Sequence, residues 1–131
     1  MADEAVLVFE LEPPVPFTCA NGAGIEKGTL LKLTDPFTVA ATSADGDTFI
    51  GIAAEEKIAS DGKVKIGVYL RGIFKIVVDA GDTTTVGQDC VIRAANKIGL
   101  YDTLDDEIGL VVGKALETGT AGESVLVLVG D

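Results

Sequence analysis

The chain has 131 residues, 47% of them hydrophobic, with five Phe, two Tyr and no Trp, so one core must be built from Val, Ile, Leu and Ala. Its 21 acidic and 10 basic residues leave a formal charge of -11; with no basic stripe to offset that sign, direct contact with DNA or RNA is excluded. No His is present, which removes the commonest general base near neutral pH.

The first residues, MADEAVLVFELE, start acidic and lack the basic region and long apolar core of a signal peptide. The expectation is synthesis in the cytosol, and no stretch is apolar for long enough to span a bilayer. AVLVFELE alternates, with Leu7, Phe9 and Leu11 on one face and Val6 and Val8 on the other. Pro13, Pro14 and Pro16 then forbid a helix and favour an extended path. Such a segment can add a strand to a neighbour's exposed edge; the competing reading is an ordinary first strand followed by a rigid connector. Residues 1–23 are therefore read as an N-terminal arm with a Pro-rich connector, ahead of a β-domain at 24–131. Its candidate contact residues are Val6, Leu7, Phe9, Leu11, Pro13, Pro14 and Phe17.

GAGIEKG (Gly22 to Gly28) has its third glycine one place late for a dinucleotide fingerprint and reads as a flexible loop. Beyond it, strands alternate in TLLKLT (29–34), FTVAAT (37–42), KVKIGVYL (63–70), IFKIVVD (73–79) and DCVIRA (89–94), while ESVLVLV (123–129) is apolar on both faces. Gly and Asp turn signals separate them, and the spacing points to an all-β fold, a small barrel or sandwich. The single helix candidate, Ala53 to Ala59, is short and uncapped. Cys19 and Cys90 sit in apolar surroundings and read as two free, buried thiols. Ser43, Ser60 and Ser124 lie in no nucleophile motif. The carboxylates Asp45 and Asp47, and Asp102, Asp105, Asp106 and Glu107, lack the ligand order of a calcium loop and read as solvated. No cofactor and no metal is expected.

One sentence is written twice. IGIAAEEKIASDGKVKIGVYLRG (50–72) returns 58 positions on as IGLVVGKALETGTAGESVLVLVG (108–130), each preceded by a related element, EKGTLLKL (26–33) or TVGQDCVI (85–92). Two related halves, 24 to 72 and 84 to 130, are expected to pack face to face and close one barrel or sandwich, neither burying its apolar face alone.

The pieces GTLLKL, FIGIAAEEKI, DGKVKIGVYLRGIFKI, VGQDCVIRAANKIGLYD and EIGLVVGKALETGTAGESVLVLV, in that order and spacing, resemble the small capsid decoration (cement, head-stabilising) proteins of tailed bacteriophages and related viruses. The resemblance covers residues 24–130. It departs at Gly87-Gln88-Asp89, where the pattern has Gly-Asp, and in the acidic YDTLDDE (101–107). It implies a non-enzymatic virion protein, made in the host cytoplasm, that binds the major capsid protein on the outer surface of an icosahedral head, often as a homotrimer. It implies no nucleic acid and no membrane partner. A small β-barrel module binding a peptide or sugar in a cellular assembly is the alternative; a concave cleft with exposed aromatics would mark it, and two convergent carboxylates in a deep pocket would mark a hydrolase.

Overall fold

The computed structural model describes residues 3–102 and 110–130. Among them are the strands β1 (Val6–Glu10), β2 (Val15–Cys19), β3 (Leu30–Asp35), β4 (Thr38–Ala41), β5 (Phe49–Ala53), β6 (Lys65–Tyr69), β7 (Gly72–Val78), β8 (Asp89–Ala94), β9 (Lys97–Leu100), β10 (Val111–Ala115) and β11 (Ser124–Val129). The all-β expectation holds. Residues 53–59 form no helix: Ala53 ends β5, and Lys57 bridges to Ile25. Alternation drives the strands, as in β11, where Val125, Val127 and Val129 are buried and the residues between them half-exposed.

The two related halves are present, but each closes a barrel of its own. Strands β2-β4-β3-β5-β6 form one closed ring; β7-β11-β10-β8-β9 form the other, with β1 added outside β7. Closure comes from a short parallel ladder, Thr18 beside Thr38 and Cys19 beside Val39 in the first barrel, Val77 beside Lys97 and Val78 beside Ile98 in the second. This corrects the expectation of one shared barrel. Each half begins not near residue 24 or 84 but one strand earlier, with β2 or β7, and that strand supplies the fifth wall that seals the ring.

The repeat runs at a step of 59 rather than 58 over most of its length. Leu31 opposite Ala41 becomes Cys90 opposite Leu100 (31 to 90, 41 to 100), and the bulge between Leu33 and Asp35 recurs between Ile92 and Ala94. In β5 and β10 the step is 62: Leu31 opposite Gly51 becomes Cys90 opposite Gly113. Gly51 and Gly113 stand beside the same bulge, and a Cβ on either would land on a cross-strand carbonyl oxygen, that of Tyr69 or of Leu128. Glycine is needed there because the backbones approach too closely for any side chain.

Two hydrophobic clusters result. Phe17, Cys19, Ile25, Leu31, Val39, Ala53, Ile66 and Val68 fill the first barrel. The other cluster holds the second barrel's interior, including Phe74, Ile76, Cys90, Ile98 and Val127, together with Leu30, Phe49 and Ile52 from the outside of the first. One face of the first barrel is thus buried against the second. Only Leu70 and Arg71 connect β6 to β7, so the two units are covalently close as well as packed.

That face is where the repeats diverge. The positions matching Leu30 and Ile52, which oppose each other across β3 and β5, are Asp89 and Lys114, which oppose each other across β8 and β10 and are exposed. Leu30→Asp or Ile52→Lys therefore installs in the first barrel the residue that the second carries at the same place. Each should bury a charge without a partner and cost about 3 kcal/mol or more in denaturant unfolding. Asp89→Leu with Lys114→Ile, on the exposed copy of the face, should leave stability nearly unchanged and instead promote self-association, read by sedimentation velocity.

Cys19 and Cys90 are free and buried, one in each cluster. Burial pushes the Cys90 thiol up to about 12, with the Asp89 carboxylate adding to the effect, and burial raises Cys19 as well. Because the thiolate is the reacting form, a thiol reagent near pH 8 should label neither in the native protein and both after denaturation. At intermediate denaturant, the order of labelling should report which barrel opens first.

Candidate interaction surface

β1 is the part of the sequence-predicted surface that lies open. It pairs antiparallel with β7 through Val6 and Lys75, Leu7 and Phe74, Phe9 and Ile73, and Glu10 and Gly72, with the register shifting between Leu7 and Phe9. The bulge undoes the simple alternation expected of AVLVFELE. Leu7 turns inward and packs on the cluster of the second barrel, while Val6 and Phe9 are 60% and 63% exposed and Leu11 is exposed beyond the strand. Ala5, just ahead, is buried and its N–H donates to the Gly28 carbonyl of the first barrel at 2.8 Å. The segment is a strap anchored on both barrels. Its outer edge has no strand partner among the described residues.

Pro13 and Pro14 are exposed between β1 and β2. Phe17 is not a surface residue: it lies in the core of the first barrel, 5.2 Å between ring centroids from Phe37. Val15–Cys19 is a barrel strand, pairing with β6 as well as β4, so the stretch read as a connector is half structural. The prolines have a positional meaning that the repeat discloses. Residues 13, 14 and 16 match Gly72, Ile73 and Lys75 of β7, the very positions along which β1 pairs. With Pro at three of those four places the first barrel lacks the N–H groups for a matching strand, and its edge is shut where the second barrel's is used.

A polar seam joins the barrels. The Asn96 side-chain oxygen accepts the Leu30 N–H at 2.9 Å, and the Asn96 N–H donates to the Thr42 hydroxyl at 3.3 Å, all within buried surroundings. Ala44 bridges Ala94. Arg93 donates from Nε to Asp82 at 2.8 Å, from one Nη to Asp45 of the first barrel at 3.0 Å, and from the other to the Leu100 carbonyl at 2.7 Å. Such a guanidinium, fixed on three acceptors, sets orientation as well as energy. The Ala95-Asn96-Lys97 stretch reads as a turn in sequence, but no local signal marked the Asn96 side chain or Arg93 as joining the two barrels; the matching turn in the first half, around Phe37, is the comparison that could have.

Several other polar groups hold loops in place. Asp47 accepts the N–H groups of Ser43 and Ala44 at 2.7 and 3.0 Å, and Asp45 is held by Arg93. Among the described residues no cluster of His, Cys, Asp or Glu is arranged to hold a metal ion; Asp105, Asp106 and Glu107 lie outside them. A hollow is lined by Gly24, Ile25 and Glu26 of the GAGIEKG loop and by residues 56–59, Lys57 among them. The buried Lys57 ammonium donates to the carbonyls of Asn21, Ala23 and Ile58 at 2.7, 2.9 and 3.2 Å and faces Asp61 at 3.5 Å. Nearby, the Lys63 hydrogen bond, followed by the Gly67 N–H, holds the Glu55 carboxyl below its usual range. Each of these groups ties a loop, and none is poised as an acid or base. No helix among the described residues is long and apolar enough to cross a membrane.

The arrangement as a whole is an acidic pair of barrels with exposed apolar residues along the strap and at separate points such as Phe37, Ile58 and Val86. Its fold is similar to that of a crystal structure, the N base of head fiber gp8.5 in bacteriophage phi29, with a TM-score of 0.56 and 16% identity over 88% of this chain and 92% of that one. No curated protein matches it in sequence. The phage cement protein model matches residues 10–130, a span that takes in both barrels and the end of the strap. This chain belongs to the phage cement protein family.

Proposed function

We propose that the protein decorates the outer surface of the assembled head by gripping the major capsid protein through the β1 strap, and that it does so as a homotrimer. A cement protein is a capsid-bound, structural component of the virion, and its work is adhesion. The observation that carries this reading further is the open edge of β1, with Val6 and Phe9 projecting beside it. An edge of this kind offers main-chain hydrogen bonds to an added strand and alternate side chains to shallow pockets. The natural unit of contact is the N-terminal segment, with Val6, Phe9, Leu11, Pro13 and Pro14 outward and Leu7 holding the strand down. Three linked copies on equivalent shell positions convert modest individual contacts into firm retention. Synthesis in the host cytoplasm and addition to a finished shell fit a compact protein with a charge of -11, which stays dispersed until it meets its site.

Val6→Ser with Phe9→Ser removes the exposed side chains without touching Leu7 or Ala5. The free double variant should melt within a few degrees of the unaltered chain, as surface changes usually alter stability by about 0.5 kcal/mol or less. Its occupancy on undecorated heads, measured by co-sedimentation across a concentration series, should fall at least about tenfold. Occupancy equal to that of the unaltered chain would remove the strap from the contact.

A further inference from the structure

We propose a second anchor, at the far end of the first barrel: the β3–β4 turn presents Phe37 as a ring that enters an apolar, basic-rimmed pocket of the shell protein. The proposal rests on the reading of the chain as a shell-binding protein and adds a place and a chemistry to it. Phe37 is 65% exposed, and its backbone is left-handed at φ 53°, a conformation that disfavours a bulky residue without glycine's freedom. The turn is nevertheless firmly held. Its carbonyl accepts the Thr18 N–H at 2.6 Å, the Thr38 hydroxyl donates to the Pro36 carbonyl at 3.1 Å, and the Thr34 hydroxyl donates to the Thr38 carbonyl at 3.3 Å. An exposed aromatic fixed in advance loses little freedom on binding, and aromatic residues are enriched at protein interfaces.

The repeat supplies an independent argument. The residue that matches Phe37 is Asn96 (37 to 96), in the same turn and equally left-handed at φ 59°. Asn96 is fully buried and is the residue by which the second barrel holds the side of the first. In this fold the turn is therefore a docking element, used inside the chain in one repeat and, in the other, resting on Phe17 at 5.2 Å with its outer side open. A second copy repeating that contact is a poor occupant for Phe37. The face of the second barrel that matches the one under Asn96 presents Asp89 and Lys114, and a phenyl ring laid over them would desolvate charges without pairing them. A pocket on the shell protein suits the ring better. Asp35 is exposed beside the ring on a chain of charge -11, so the rim that suits it is basic.

The test uses Phe37→Asn, which copies the second repeat and tolerates the left-handed backbone, and Phe37→Gly, which relaxes it. Both free proteins should stay folded and melt within a few degrees of the unaltered chain, the relaxed backbone offsetting the lost ring contact with Phe17, and both should bind undecorated heads at least about tenfold more weakly by co-sedimentation. If the unaltered chain does not bind heads, the shell-binding reading itself fails and takes this one with it. If it binds and both variants bind equally well, only the Phe37 anchor is wrong. Two other results also overturn the anchor: a large drop in melting temperature for both variants, which makes Phe37 a plug of its own barrel, and loss of self-association in the ultracentrifuge with head binding intact, which assigns the turn to a second copy.

Discussion

Two parallel ladders, each only two residue pairs long, hold the rest of this structure in place. Without β2 beside β4, or β7 beside β9, each half would be an open five-stranded sheet whose end strands do not meet. With them, the main-chain donors and acceptors of both halves are turned inward around a ring, and barrel interiors of Val, Ile and Leu become possible in a chain almost without large aromatics. Everything outward then follows from which strand positions face away from a core. The strap, the seam and the exposed turn are all features of the outside of a closed ring.

Closure also explains how two like units come to behave differently. Since each barrel closes its own strand ladder, the outer faces are free to be written separately. One copy carries Leu30 and Ile52 and is covered; the other carries Asp89 and Lys114 and meets water. Prolines shut on one barrel the edge that β1 occupies on the other. Both differences act in the same direction, ending the stacking of repeats after the second.

The strands were legible in the sequence because period-two burial is a local signal, and KVKIGVYL and IFKIVVD show it plainly. The duplication was legible too, but in a shifted register. Matching Ile-Gly with Ile-Gly set Gly51 against Gly109, whereas the steric demand of the bulge pairs Gly51 with Gly113. Residue identity was a weaker guide than the backbone contact that requires glycine. β2 was hidden because proline reads as an interruption, although a strand tolerates it where no ladder N–H is needed. The parallel ladders join residues some 20 apart (18 to 38, 77 to 97), and nothing in a local window announces them. For the same reason Phe17 read as a contact residue while serving a core, and the bulge that sends Leu7 inward and Phe9 outward could not be seen from alternation alone.

The two-residue link between β6 and β7 has a further consequence. The contact between the barrels is intramolecular, and its effective concentration is set by Leu70 and Arg71 rather than by how much protein is present. Two separate single-barrel chains meeting through the same apolar face would come apart on dilution, and the first would then expose Leu30 and Ile52 to solvent. A virus particle released from a burst cell passes from a crowded interior into an almost infinite volume, and a unit joined in this way keeps its shape there at any concentration.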